Sequence, residues 1–276
     1  MTAAVTSAGV DTSRPVRTAG MLDALRSEWL KLWSLRSTWV TLGVAIVLGI
    51  GGGAGIAAAA AHAYRQGHIG RHGWQPVEVS LISLFFVQWA MAVLGALTIT
   101  GEYGSGMVRT SLTAVPNRAR FLVAKAAVLT VVVLVVGEVI AFGSFLLGQA
   151  VLGAGVPHAS LSDSTTLRAV VGAGLYLTAI GLLSTGLGFL VRSTAAAIAI
   201  VVGVLFVFPI VFEAIPVSWL KTVDKWWPTQ AGQQIYSQVG PHASDVLGPW
   251  AGFGILCAFV GVVLVLGYVA LGSRDA

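Results

Sequence analysis

The chain has 276 residues, 56% of them hydrophobic and only 10% charged, with a formal net charge of +5 and a mean hydropathy of +0.86. A water-soluble domain carries roughly a quarter charged residues, so there is too little polar surface to coat a soluble globule and the expected solvent is lipid. The basic residues stand at the ends of apolar runs rather than in one patch, which suits membrane orientation and argues against a nucleic-acid partner. A single cysteine, Cys257, excludes an internal disulfide and a multi-cysteine metal centre.

Residues 1–20 are Ala, Thr, Ser and Gly around Arg14, Pro15 and Arg17, with no apolar core of a cleavable leader. A disordered cytoplasmic tail is expected there, and one transmembrane domain over 21–276. From Met21 to Arg36, Leu22, Leu25, Trp29, Leu32 and Trp33 share one helical face, away from Asp23, Ser27, Lys31 and Ser34. Two tryptophans on the apolar side, with Arg26, Lys31 and Arg36, describe an amphipathic helix lying in the headgroup layer.

Six apolar runs follow, each near the roughly 20 residues that cross a bilayer: Trp39–Ala61, Val79–Thr100, Phe121–Leu147, Ala169–Val191, Thr194–Ala214 and Trp250–Gly272. With the N-terminus inside, Arg14, Arg17, Arg26, Lys31, Arg36, Arg109, Arg118, Arg120, Lys125, Arg192 and Arg274 fall on the inner side. Only Arg65, Arg71, Arg168, Lys221 and Lys225 fall outside. That bias predicts both termini in the cytoplasm. The glycines of the first run, from Gly43 to Gly55, permit close helix approach in lipid. The first outside loop holds His62, His68 and His72, but Gly67, Gly70 and Gly73 work against the helix that a metal-binding His pair would need. Arg192–Ser193 is too short a turn for anything but antiparallel neighbours, and Asp163 or Ser164 is placed to cap the fourth span. Residues 215–249 mix Trp219, Trp226, Trp227 and Tyr236 with Pro216, Pro228, Gly232 and Pro241. Short helices dipping into the outer interface are expected there.

Two acids sit within apolar runs, Glu138 mid-span and Glu213 near an outer end. An ionised group at the bilayer centre is costly, so Glu138 must face the interior, bind a proton or find a partner among Gln88, Gln149, Thr178, Ser184 and Thr185. Gln88, Glu138, Thr178 and Glu213 form the candidate substrate pathway, with Lys221 a possible partner for Glu213. No catalytic constellation is present. The only lysines, Lys31, Lys125, Lys221 and Lys225, lie in no Gly-x4-Gly-Lys-Ser/Thr loop, so any ATP is bound by another chain.

The segment 101–125 is the long charged, turn-rich stretch between two apolar runs. It carries Arg109, Arg118, Arg120 and Lys125 against Glu102. Gly101, Gly104 and Gly106 supply turns; Met107–Ala114 is long enough for about two helical turns, and Pro116 discourages continuation. Met107, Val108 and Leu112 offer an apolar surface to a partner, with Glu102 and Arg109 bracing the loop. A short helix between two rigid spans can act as a lever.

The order Glu-Tyr-x-x-Gly-x-x-Arg-x-x-Leu-x-x-x-Pro-x-Arg, carried by Glu102, Tyr103, Gly106, Arg109, Leu112, Pro116 and Arg118, resembles the cytoplasmic loop of ABC-2-type permeases. These are the membrane subunits of bacterial ABC exporters. The segments SEWLKLWSLRSTW (27–39), VRSTAAA (191–197) and WWPTQAGQQI (226–235) are similar as well. The resemblance implies an all-α polytopic membrane protein: six spans, an N-terminal interfacial helix over 21–36 and a coupling helix within 101–118. It also implies a bacterial cytoplasmic membrane, two ABC ATPase subunits that bind ATP and Mg, and a second permease, either another copy or a paralogue. It places Glu102, Tyr103, Gly106, Met107, Val108, Arg109, Leu112, Pro116 and Arg118 at the ATPase-coupling site, with Met107 standing where many relatives have Thr. The expected function is export of a lipophilic or amphiphilic compound. The rival readings are an ion-coupled secondary transporter using Glu138, and a non-transporting scaffold or immunity protein.

Overall fold

The computed structural model describes residues 20–70, 74–215, 217–238 and 247–273. The expected tail up to residue 19, together with His72, Pro216, Pro241 and Arg274, lies outside the described residues. Among the described residues every regular element is a helix, and six are long and apolar enough to span a membrane.

A leading helix, α1 (Met21–Ser34), runs into the first span, which is α2 (Arg36–Ile46), a π-helical turn (Val47–Gly51) and α3 (Gly52–Arg65). The second span is α4 (Pro76–Leu81) followed by α5 (Leu84–Gly104), and α6 (Met107–Ala114) bridges to the third, α7 (Arg118–Leu152). The fourth is α8 (Ser164–Val191). The fifth joins α9 (Thr194–Val202), a second π turn (Gly203–Val207) and α10 (Phe208–Ala214). Two short helices, α11 (Ser218–Trp226) and α12 (Pro228–Gln233), precede the sixth, α13 (Pro249–Ser273).

Several helices overrun the apolar runs because polar caps set their ends. Asn117 Oδ1 accepts the Arg120 amide at 3.0 Å to start α7, and Asp163 accepts the Thr165 and Thr166 amides to start α8. The helix α8 is the central post, buried along nearly all of Ala169–Phe189, and it packs against α5, α7 and α13. Small residues permit this: a Cβ on Gly95 would lie 2.1 Å from the Gly181 carbonyl oxygen, so α5 and α8 meet backbone to backbone.

Both π turns leave a carbonyl that a neighbouring element takes up. Ser144 of α7 donates to Gly49 O at 2.8 Å, and Trp227 Nε1 donates to Val204 O at 2.8 Å. Val204 is the midpoint of the fifth span, so the chain between α11 and α12 reaches well in from the span's end. Arg168 of α8 then clamps the residues after α12, donating to the carbonyls of Gln234, Ile235 and Ser237. Backbone off the helix at such depth needs donors of this kind.

In α1 the face turned into the bundle carries Ala24, Glu28 and Leu32. Leu32 is buried and Leu22 and Trp29 are exposed, while Glu28, a residue with no assigned role in the sequence reading, is only 5% exposed. Ala24 packs with Val115 and Ala124, and Leu271 packs with Val108. The start of α1 and the end of α13 therefore lie at the α6 end of the bundle.

Candidate functional site

The α6 end holds a buried cluster of ion pairs, built from four separate stretches of chain. Lys125, one helical stretch into α7, donates to Glu28 Oε2 of α1 at 2.5 Å, to Glu102 Oε1 of α5 at 2.8 Å and to the Thr98 carbonyl at 3.2 Å. Lys31, one turn after Glu28, donates to Glu28 Oε1 at 2.7 Å, Glu102 Oε1 at 3.3 Å and Ser111 Oγ of α6 at 2.9 Å. Phe121 lies beneath both ammonium groups, its ring centroid 5.6 Å from Lys31 Nζ and 5.4 Å from Lys125 Nζ. Two lysines and two glutamates make the cluster neutral. Each ammonium spends all three protons, which is how buried charges become tolerable.

This cluster joins α1, α5, α6 and α7, so it locks the leading helix to the short bridging helix. Seen from the sequence, Glu102 belonged to the loop motif, but Glu28 and the sharing of both glutamates by Lys31 and Lys125 were missed. The available signal was Glu28 and Lys31 one helical turn apart, in a chain with so few charges.

The helix α6 begins after Gly106, which sits in the left-handed region at φ 71°. Its one fully buried side chain is Val108, 2% exposed, which enters a cluster with Ile99, Phe121, Leu122, Phe189 and Leu271. Spans two, three, four and six each contribute to that cluster. Val108 therefore seats α6 on the bundle and does not face outward, as the sequence reading had it. Leu112 is half-buried against the same cluster. Met107 is 44% exposed, and Arg109 and Pro116 are exposed. Of the two residues expected to brace the loop, Arg109 is exposed and Glu102 accepts from Lys31 and Lys125.

Tyr103 is half-buried beneath Arg192. Arg118 donates to Gly272 O at 2.7 Å and Arg192 to Ala270 O at 3.0 Å, so two guanidinium groups satisfy carbonyls at the end of α13. A hollow of about 240 Å³ separates α1 from α6. A cavity of about 330 Å³ lies on the other side of the charge cluster, between α1, α5 and α7.

The four residues placed on a candidate substrate pathway have different settings. Gln88 is buried, accepts from the Tyr176 hydroxyl at 2.9 Å and lies in the α5–α8 contact. Thr178 donates to Gly174 O within α8. Glu138 is half-buried, and Gly174 makes room for it: a Cβ there would lie 2.5 Å from the carboxyl carbon. None of Gln88, Gln149, Thr178, Ser184 or Thr185 bonds it: Gln149, Thr178 and Thr185 are engaged elsewhere, and Gln88 Nε2 and Ser184 Oγ are themselves without a partner. Glu213 is exposed at the far end of the fifth span, and no ion pair to Lys221 occurs among the described residues. Its nearer neighbour is Asp224, whose carboxyl is pushed up first by burial and then by the charge of Glu213. His62 hydrogen-bonds the Gln66 amide.

The sequence model of a family described as ABC-2 family transporter protein matches residues 24–215, which runs from α1 through the charge cluster and α6 to the end of the fifth span. No curated protein matches the chain significantly.

Proposed function

This chain belongs to the ABC-2 transporter family, and from that premise we propose that it is the membrane-spanning permease subunit of an ATP-driven exporter. It is a multi-pass membrane protein and a membrane transport component. We assign it to a bacterial cytoplasmic membrane with the α6 end inside, where basic residues gather. Two copies of a separate ATPase subunit would bind ATP and Mg and dock there. A second permease, identical or paralogous, would complete the pathway for a lipophilic or amphiphilic cargo.

One observation carries the reading: α6 is an exposed short helix whose single buried residue sits in a cluster to which four spans contribute. A displacement of α6 acts through Val108 on spans two, three, four and six. Through Ser111, Lys31 and Glu28 it acts on α1 as well. Packed interfaces switch between discrete arrangements rather than stretching, so a push on α6 is passed to the bundle as a rigid-body movement. The outward residues Met107, Arg109 and Pro116 are the surface for the ATPase, and Glu102, Tyr103, Gly106, Val108, Leu112 and Arg118 hold that surface in place. Of the region 215–249, the described stretch 217–238 is assigned as partly re-entrant at the opposite face, supported by the depth at which Trp227 meets Val204.

The test is reconstitution with the cognate ATPase. Arg109→Glu is expected to reduce transport and transport-linked hydrolysis at least tenfold, with membrane insertion and thermal unfolding as in wild type. Undiminished transport by that variant would refute docking at α6.

A further inference from the structure

At the end of the bundle opposite α6, a cavity of about 420 Å³ lies between α4 and the chain that follows α12. It falls within the roughly 300–1,000 Å³ typical of small-molecule sites. One wall is graded. Gln75, Glu78, Ile82 and Phe85, three or four positions apart, follow one face of the second span from its end toward its middle. The first two are polar; the last two are apolar and exposed. The other wall, running from Gln233 to Ser237, is held by α8. Arg168 donates to the carbonyls of Gln234, Ile235 and Ser237, and Gln233 Nε2 donates to the Tyr176 hydroxyl at 3.4 Å.

Hydrogen bonding does not choose an occupant here, because the amides of Gln233 and Gln234 both donate and accept. Charge does. Glu78 is the one charged side chain that lines the cavity among the described residues, and it makes no ion pair with any of them. Its carboxylate accepts from the Gln75 amide at 2.7 Å, in the orientation that satisfies both groups, and from the Ser237 hydroxyl at 3.3 Å. These neutral donors leave its charge uncancelled. Tyr236 adds no second negative charge: burial first, then the neighbouring Tyr176 and Glu78, push its phenol well above the usual range, so it stays protonated. Arg168 is spent on the carbonyls it clamps and does not line the cavity. Near a low-dielectric boundary, such a lone carboxylate attracts a cation more strongly than it would in water.

We propose that this cavity binds a single-chain amphiphile with a cationic head, Glu78 serving as the counter-charge and Ile82 and Phe85 as the track for the chain. An anionic head meets Glu78 with no lining cation to offset it. An uncharged head of similar size gains the apolar contacts without the charge. A zwitterionic phospholipid brings its phosphate to the same carboxylate, so the free single-chain cation is the occupant that this wall favours. Naming that occupant as cargo rests on the exporter reading; binding itself does not.

Binding is therefore measured on the chain without any ATPase, in phosphatidylcholine nanodiscs, by calorimetric titration corrected for empty discs. Dodecyltrimethylammonium is expected to bind saturably, one per chain. Dodecyldimethylamine oxide, which has the same chain and no net charge at neutral pH, is expected to bind at least tenfold more weakly. Dodecyl sulfate is expected to show no saturable binding. Glu78→Gln, which keeps the shape and removes the charge, is expected to weaken the cation at least tenfold and to leave the amine oxide unchanged. Discs made of an uncharged glycolipid, which carries no choline, are expected to give the same affinity for the cation. Equal affinity of the wild-type chain for the cation and the amine oxide would overturn the charge argument, and that comparison needs no variant. Full binding of the cation by a folded Glu78→Gln variant would overturn the site. A tenfold gain in the glycolipid discs would show that phosphatidylcholine competes and would replace the single-chain occupant with a phospholipid. Failure of coupling in the Arg109→Glu variant leaves all of these outcomes untouched, so the two readings fail separately.

Discussion

Lys125 Nζ and Glu28 Oε2 meet at 2.5 Å although they stand 97 positions apart in the chain, and both side chains are almost wholly buried. Removing one member leaves the four-charge cluster with one uncompensated charge, at up to about 3–5 kcal/mol. Lys125→Met is expected to destabilise by that order, and Glu28→Gln by less. The double variant is expected to lose less than the sum, with a coupling of about 0.5–3 kcal/mol. Denaturant unfolding in detergent measures the cycle; strict additivity would mean that the pair is not linked in the folded protein.

Gly106 starts α6 at φ 71° with open space around its missing Cβ. The cost of a side chain there is purely conformational, about 1–2 kcal/mol for an ordinary residue in the left-handed region. Gly106→Ala is expected to lower stability by about that amount and to impair coupling, whereas Gly106→Asn retains more of both. Equal behaviour of the two variants in unfolding and in ATPase stimulation would rule out a backbone origin.

Arg168 holds three carbonyls of the segment after α12 from a position on the central helix. Arg168→Ala is expected to cost about 1.5–3 kcal/mol, the scale of hydrogen bonds to a charged group. Hydrogen exchange of amides across 234–238 is expected to rise at least tenfold, while exchange in α5 and α7 stays unchanged. Lysine at this position places one point charge where a planar fork reached three acceptors, so Arg168→Lys is expected to restore only part of the protection. Full protection in the alanine variant would show that packing alone holds the segment.

Asp163 caps α8 with a carboxylate held below its ordinary value, chiefly by the Thr165 and Thr166 hydroxyls. A lowered folded-state value means that the ionised cap stabilises the native protein. That contribution is complete above the ordinary value of 3.8 and is lost as pH falls through the lower folded value. Asp163→Asn keeps a capping oxygen without the titration. Its unfolding midpoint is expected to fall less steeply than wild type below about pH 4; parallel curves would exclude Asp163 as the titrating cap.

The six spans were legible because each is a run of apolar residues of bilayer length, and the bridging helix because glycines and a proline bracket Met107–Ala114. Helix ends shifted outward where caps such as Asn117 overrode the edge of the apolar run. The inward face of α1 was not legible. Helical spacing put Leu22 and Trp29 together correctly, but no periodicity announces that Glu28 is buried, because its partners lie on α7 and α5. Val108 shows the same limit. An apolar residue on a short helix reads equally well as a docking surface or as an anchor, and only the placement of Ile99, Phe189 and Leu271 beneath it decides. Glu138 was legible as anomalous, but of the side chains suggested as its partners, Gln149, Thr178 and Thr185 are bound elsewhere and Ser184 Oγ has no partner.

The indole of Trp227 grips a carbonyl released by the π turn at the centre of the fifth span. The cap formed by α11 and α12 is thereby wired to mid-depth rather than to the rim. It cannot lift while span five stands still: either that bond breaks or the span flexes at Gly203–Val207 and follows. A disturbance of α11 and α12 would therefore reach the fifth span halfway down its length, as a crank turns a shaft.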